Sequence, residues 1–297
     1  MKNTPRFAII GFGEVGQILA QDLVAAGCEV AGTYDVKFAD PESIPSRAAS
    51  GPYRAGASHH DAVKGAQLVI SAVTAEQGLQ AAEATAGGIE PGAFYVDVNS
   101  VSPGVKRASA EAINAAGGRY VEAAVMTAVP PHRIKSPMLL GGPHAAAFLE
   151  LAAPLGFNAK VYSADYGKAS AVKMCRSVMI KGMEALITES LLTARRLGVE
   201  DDVLASLGET LPVPDWEAFA RYMISRSLQH GRRRAEEMRE VARTVSEANV
   251  APLMSSSIAE RQDIAAVLGK GVDLKGDLDG ILDALLAKIP AAREALK

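Results

Sequence analysis

The chain is predicted to fold as a doubly wound, mostly parallel α/β sheet followed by an all-helical second half. Three observations predict this. Short apolar runs recur near residues 8, 31, 70 and 96 with helical patterns between them, the alternation that builds a parallel sheet. The first run breaks into Gly11-Phe12-Gly13-Glu14-Val15-Gly16 and then into a helical pattern. From Tyr166 onward no strand pattern is left, only helical periodicity.

Phe7 to Ile10 reads as a buried strand, and Val15, Ile18, Leu19, Leu23 and Val24 then fall at helical spacing until Gly27 closes the helix. Each glycine of the turn has its own reason. Gly11 allows the tight turn, Gly13 lets backbone amides approach a pyrophosphate, and Gly16 lets the helix pack close to the strand. The helix N-terminus adds free N–H groups and a partial positive charge. Strand, glycine turn and helix together point to a Rossmann-type, dinucleotide-binding fold, against the competing reading of a plain glycine turn.

The second strand, Cys28 to Tyr34, ends at Asp35, about 20 residues past the turn, where a carboxylate can accept hydrogen bonds from the adenosine ribose hydroxyls and repel a 2′-phosphate. This favours NAD, and Lys37 close by keeps NADP open; the competing role for Asp35 is to cap the next segment. Residues 36–58 read as loops with one short element. Leu68 to Val73 is a buried strand, and a helix opens at Thr74-Ala75-Glu76 and runs to Ala86, stopped by Gly87-Gly88. Ala93 to Val98 is the next strand, and Ser102-Pro103 starts the helix after it. Strands near 119–125, 137–141 and Asn158–Tyr162 follow, with an ordered loop or lid over 126–137.

The expected division is a dinucleotide-binding domain over 1–164 and a helical substrate and oligomerisation domain over 165–297. The second opens with a helix from Gly167 to Leu197, about 45 Å long at 1.5 Å per residue, followed by helices at 200–208, 215–228, 231–248, 252–268 and 277–296. A helix that long is expected between domains or in an intersubunit interface, so a homodimer or homotetramer is expected.

At 48% apolar and 22% charged, the composition is that of a globular protein, and a net charge of −3 gives no electrostatic case for nucleic acid or an anionic membrane. No stretch reaches the ~18 apolar residues of a membrane span, and the first apolar run is too short for a signal peptide. Cys28 and Cys175 are the only cysteines, which excludes a disulfide framework and makes a cytoplasmic location the default expectation. The histidines at 59, 60, 132 and 144 lack ligand spacing, and no metal site is expected.

Beside a dinucleotide, hydride transfer needs a group that takes or gives the proton of the substrate oxygen. Lys173, Ser177 and Lys181 are four apart and share a helix face, with Ala169, Val172, Met174, Val178 and Met179 around them. A lysine against apolar surface and beside a cationic nicotinamide is expected to have its pKa lowered, which suits it to that exchange. The plainer reading is a solvated stripe.

The order of these pieces resembles the β-hydroxyacid dehydrogenase family, related to 6-phosphogluconate dehydrogenase. Gly11–Gly16 is similar to that family's cofactor fingerprint, Val73-Thr74-Ala75 to its second cofactor loop, and Asp97-Val-Asn-Ser-Val-Ser-Pro103 to its Asp-x-Ser-Thr-x-x-Pro segment. Glu122-Ala-Ala-Val-Met-Thr-Ala128 stands where the family has its substrate loop, and Gly167-Lys-Ala-Ser-Ala-Val-Lys173 where it has Gly-x-Gly-x-x-x-Lys. The resemblance covers residues 6–197, and the stretch Arg226 to Met238 looks like a poorly characterised helical domain found in one subgroup.

The resemblance implies an NAD-dependent dehydrogenase acting on CH–OH donors, with Lys173 as general acid/base. Gly11, Phe12, Gly13, Glu14, Val15, Gly16, Asp35, Val73, Thr74 and Asn99 would hold the cofactor. Ser100, Met126, Thr127, Ala128 and Ser177 would meet a small-molecule substrate. Met126-Thr127-Ala128 replaces the family's serine and two glycines, and Ser177 its asparagine, which implies a bulkier or more apolar substrate than usual. Lys181 would bind a substrate anion or reach solvent. His230 is a candidate for a substrate acid group, whereas Arg232–Arg234 read as an exposed face laced with i,i+4 pairs to Glu236 and Glu237. Two alternatives stand beside the dehydrogenase. One is an imine reductase of the same architecture, against which Lys173 argues; the other is a non-catalytic dinucleotide sensor.

Overall fold

The structure is a computed structural model that describes residues 4–49 and 51–295. It divides into two compact units, Met1–Met174 and Cys175–Lys297. In the first, β1 (Phe7–Ile10), α1 (Glu14–Ala25), β2 (Val30–Tyr34), α2 (Ile44–Ala49) and α3 (His59–Val63) are followed by β3 (Leu68–Ser71), α4 (Gly78–Ala86), β4 (Phe94–Asp97) and α5 (Pro103–Ala115). Then come β5 (Arg119–Val125), α6 (Val129–His132), β6 (Met138–Gly141), α7 (Ala145–Ala152) and β7 (Ala159–Ser163). The helix α8 (Lys168–Leu197) runs on into the second unit, which adds α9 (Glu200–Thr210), α10 (Trp216–Glu247), α11 (Leu253–Leu268) and α12 (Leu278–Ala295). The end expected for the last helix at residue 296 lies outside the described residues.

The seven strands lie in the order β2-β1-β3-β4-β5-β6-β7. β1 to β5 are mutually parallel, β6 turns antiparallel against β5, and β7 runs parallel to β6. β1, β3 and β4 are buried on both faces, which is why they read as unbroken apolar runs rather than alternations. One face sends Phe7, Ile9, Leu68, Ile70, Phe94 and Val96 into a core with Leu19 and Leu23 of α1 and Phe148 of α7. The other sends Ala8, Ile10, Val69, Tyr95 and Tyr120 against Ala62 of α3, Ala81 and Ala82 of α4 and Ile113 of α5. The sheet is doubly wound, as expected.

Local signals act where they were read. Gly27 takes φ +87° and ends α1, with Cys28 N–H donating to Leu23 O at 3.0 Å. Ser102 caps α5 through Val105 N–H at 3.3 Å, with Pro103 in the first turn. The 126–137 stretch is ordered: it folds into α6 and a 3-10 turn at Arg133–Lys135, and Arg133 pairs with Asp22 of α1 at 2.8 Å.

Two expectations fail. Among the described residues, 36–58 hold two short elements rather than one, a 3-10 turn at Val36–Ala39 that Asp35 caps and the helix α2. Helices at 215–228 and 231–248 are a single helix, α10, because Gly231 is not a breaker. It sits where α10 meets α11: a Cβ there would lie 2.6 Å from Ala266 N and 2.7 Å from Gln262 O. Glycine is needed for close approach, and the helix passes through it.

Candidate active site

The glycine turn gives its three glycines three different surroundings. Gly11 takes φ +89°, and a Cβ there would lie 2.5 Å from Ala72 O at the end of β3. A Cβ on Gly16 would lie 2.0 Å from Gly11 O. At Gly13, the N-cap of α1, a Cβ would meet nothing within 4 Å. The turn is therefore packed on its protein side and open at the helix N-terminus, which fits a pyrophosphate approached by backbone amides. Phe12 is fully buried, its ring edge-on to Tyr53 at 5.2 Å. Glu14 is exposed in the first turn, and Val15 packs partly against the core.

Asp35 does cap the next segment, accepting from Lys37 N–H at 2.9 Å, and its other oxygen accepts from Phe12 N–H at 2.8 Å. The carboxylate thus ties the end of β2 to the glycine turn. A carboxylate has about four lone-pair sites, so acceptor capacity remains for ribose hydroxyls.

At the next strand ends, Asn99 is buried and its side chain bridges two strands: Oδ1 accepts from Val73 N–H at 2.7 Å, and Nδ2 donates to Ser71 Oγ at 2.9 Å. Thr74, exposed, opens a 3-10 turn at Ala75–Gln77. Beneath Asn99 lies a buried ionic cluster that the sequence reading passed over. The Asp97 carboxylate accepts from Asn99 N–H at 2.8 Å and Tyr120 Oη–H at 2.7 Å, and pairs with Lys106 Nζ at 2.9 Å. Burial and the Asp97 charge push the Tyr120 phenol well above its usual pKa, so it stays a donor. An acidic residue inside an apolar strand run was the available signal for this cluster.

Two residues expected to work together meet here. Lys173 Nζ lies 2.6 Å from Ser100 Oγ, both half-buried. Lys173 rides on the first part of α8, whose start is held by Glu122: its carboxylate, fully buried, accepts from Gly167 N–H at 2.6 Å and Ser170 N–H at 2.5 Å.

Along the loop after β5, Met126 packs with Ala124, Leu139, Ala169 and Val172, while Thr127 and Ala128 are exposed. An apolar wall therefore runs from the loop onto the helix that carries Lys173.

Ser177, Lys181 and His230 belong to the second unit. Lys181 does not reach solvent as one expectation had it; it is buried, 2.7 Å from Glu237 and 3.3 Å from Ser177 Oγ. Arg234 also departs from the exposed face expected of its run. It is buried and pairs with Glu184 at 2.9 Å, whereas Arg232 and Arg233 are exposed as expected. A histidine ring nitrogen of His230 accepts from Arg226 at 3.1 Å; burial, then Arg233, Arg226 and Arg234, depress its pKa to about 4.

With this geometry in place, the family comparison is decisive. Residues 6–155 match the family described as the NAD binding domain of 6-phosphogluconate dehydrogenase. The chain belongs to that family. Residues 194–264 match a domain of unknown function (DUF1932). An uncharacterized 28.5 kDa protein of Methanothermus fervidus is 30% identical, with 84% of this chain and 94% of that one covered. A conserved hypothetical protein from Sinorhizobium meliloti 1021 is 34% identical with a TM-score of 0.77, covering 97% of both chains. A conserved protein of unknown function, described as structurally similar to 3-hydroxyacid dehydrogenases, is 33% identical with a TM-score of 0.67, covering 89% of this chain and 99% of its own. The fold alone is shared with 3-hydroxyisobutyrate dehydrogenase of Mycobacterium tuberculosis (17% identity, TM-score 0.68, 95% and 99% covered) and imine reductase from Aspergillus terreus (17%, 0.56, 94% and 99%). Family and fold point to nicotinamide-dinucleotide-dependent dehydrogenase or reductase chemistry. Among the described residues no helix is long and apolar enough to cross a membrane.

Proposed function

We propose that the protein is an NAD-dependent oxidoreductase of CH–OH donors, acting on a hydroxyacid-like alcohol bulkier or more apolar than 3-hydroxyisobutyrate. The observation that carries this reading is the 2.6 Å bond between Lys173 Nζ and Ser100 Oγ, at the strand ends of a sheet whose first turn is open for a pyrophosphate. In open α/β sheets ligands sit outside the carboxyl ends of the strands.

Gly11, Gly13 and Gly16 would hold the pyrophosphate, Asp35 the adenosine ribose, and the Val73–Thr74 and Asn99 loops the rest of the dinucleotide. Bound nicotinamide supplies or takes up the hydride. Lys173 takes the proton of the substrate hydroxyl in oxidation and returns it to the carbonyl oxygen in reduction. Ser100, already bonded to the lysine, orients the same oxygen. Thr127 offers a hydroxyl to a polar handle, and Met126 lies beside the substrate's apolar part. Asp35 favours NAD because a 2′-phosphate beside its carboxylate would be repelled. Lys181, held by Glu237, is assigned to the helical unit's own structure.

The test is a panel of hydroxyacids and aryl alcohols with NAD and NADP, and of aldehydes and a cyclic imine with NADH and NADPH, read by absorbance of the reduced cofactor. Lys173→Met is expected to lower turnover at least ~10²-fold while leaving NADH affinity nearly unchanged. Substantial residual turnover removes Lys173 from the mechanism. Efficient turnover of 3-hydroxyisobutyrate refutes the bulkier substrate.

A further inference from the structure

Asp97 and Glu122 are direct register partners across the parallel β4–β5 pair, and both are fully buried. Buried carboxylates are costly unless fully bonded, so their bonding shows what they hold in place. Asp97 bonds the Asn99 amide, one residue before Ser100, and is itself fixed by Lys106 and Tyr120. Lys106 Nζ also donates to Asp97 O at 2.9 Å, so one ammonium clamps the side chain and backbone at the end of β4. Glu122 bonds the Gly167 and Ser170 amides, about two turns and one turn before Lys173. Space for this carboxylate is left by Gly141 on β6, where a Cβ would lie 2.6 Å from Glu122 Oε2. The start of α8 is confined on its other side as well: a Cβ on Gly167, at φ +90°, would lie 2.8 Å from an Arg107 guanidinium nitrogen and 3.0 Å from Pro103 Cβ.

We propose that Asp97 and Glu122 are a pair of positioning residues, the first setting Ser100 and the second setting Lys173, so that rigid neighbouring strands fix the Lys173–Ser100 distance. Apolar residues in their places would fill the same volume without gripping either backbone segment. The pair touches no substrate; it acts through the loop and the helix. The consequence for turnover rests on the proposed role of Lys173, and the consequence for geometry does not.

Two variants separate the parts. Glu122→Gln keeps an acceptor for one amide and turns a donor toward the other. Asp97→Asn combined with Lys106→Met removes both charges together, leaving no stranded ammonium. Both are screened for native circular dichroism and cooperative unfolding, and the double variant carries the test if the first misfolds. Expected is a fall in kcat of at least about tenfold with KM for NADH within about twofold, since displacements near 1 Å suffice for such losses. A second readout needs no turnover: lysines are reductively methylated with ¹³C, Lys173 is assigned with Lys173→Arg, and its resonance is followed without substrate. A displaced or broadened Lys173 signal in the folded variants supports the pair. Wild-type kcat, or a loss confined to KM for NADH, overturns it. If the unmodified protein turns over no alcohol or carbonyl, the dehydrogenase reading fails by itself, and an unmoved Lys173 signal then overturns the positioning pair.

Discussion

The two units bury charge for different ends. In the sheet unit, Asp97 at the end of β4 and Glu122 midway along β5 each bond backbone amides of segments that carry candidate site residues, Asp97 being held in turn by Lys106 and Tyr120. In the helical unit, Glu184 of α8 meets Arg234 of α10 at 2.9 Å and Gln262 of α11 at 3.5 Å, and Lys181 of α8 meets Glu237 of α10. Those bonds run from side chain to side chain and tie helix to helix. Carboxylates gripping backbone fix a local shape; ion pairs between helices select which helices neighbour one another. The same residue types therefore predict different losses when removed.

The largest stability effect is expected at the helix-tying pair. Arg234→Met leaves Glu184 buried beside an apolar side chain, a change that typically costs about 3–5 kcal/mol. Burial already pushes the Glu184 carboxyl up, and Arg234 is the strongest group pulling it back. Glu184→Met with Arg234→Met together is expected to be neutral or stabilising, as replacement of whole buried pairs often is. Trp216, the chain's single tryptophan, stands at the start of α10 and reports this unit's unfolding by fluorescence. The contrast sharpens if the double variant keeps wild-type kcat while its sheet-unit counterpart, Asp97→Asn with Lys106→Met, stays folded and loses it. Equal losses of kcat in both would erase the distinction.

The same contrast governs what was legible beforehand. The sheet unit is readable because β1, β3 and β4 are short and apolar on both faces and its turns need glycine or proline: Gly11, Gly27 and Pro103 stand where the backbone demands them. Asp35 and Lys173 stand out in the sequence as candidates because motif spacing marks them. Lys106, Tyr120 and Glu122 were passed over because their partners lie on other elements, and helical or strand periodicity reports only which face a residue is on. In the helical unit every long segment is helical, so the reading had to find breaks, and a glycine looks the same whether it ends a helix or admits a neighbour. Arg234 directly follows two exposed arginines, and only the position of α8 beside it distinguishes it from them.

Gly231 allows that ambiguity to be tested at intermediate cost. Alanine improves intrinsic helix propensity by about 1 kcal/mol over glycine. Its Cβ would meet the backbone of α11 at 2.6 Å, however, and backbone yields only if the helices part. Overpacking of this kind costs about 1–3 kcal/mol, so packing outweighs propensity and Gly231→Ala is expected to destabilise. The check is a lower urea midpoint by Trp216 fluorescence at unchanged m-value. A raised midpoint would mean that propensity wins and that α10 and α11 are not in close contact at Gly231.

His230 gives the smallest effect, and its sign follows from its neighbours. Burial comes first, then Arg233, Arg226 and Arg234, with Glu237 opposing, and together they lower the folded-state pKa to about 4 from an ordinary 6.5. Below pH 6.5 the unfolded chain takes up a proton that the folded ring refuses. The stability associated with neutral His230 is thus full above pH 6.5 and is lost as pH falls toward 4. His230→Gln keeps an acceptor for Arg226 but removes the titration. The variant is expected to match the parent at pH 7 and to lose less Tm between pH 7 and 4.5; with the shift discounted for solvent screening of a half-buried ring, the difference is on the order of a degree or two. Thermal melts followed by Trp216 fluorescence at both pH values decide it. An identical pH slope in the two proteins would mean that the ring takes a proton as readily folded as unfolded, and that the arginines around it do not set the charge in this part of the helical unit.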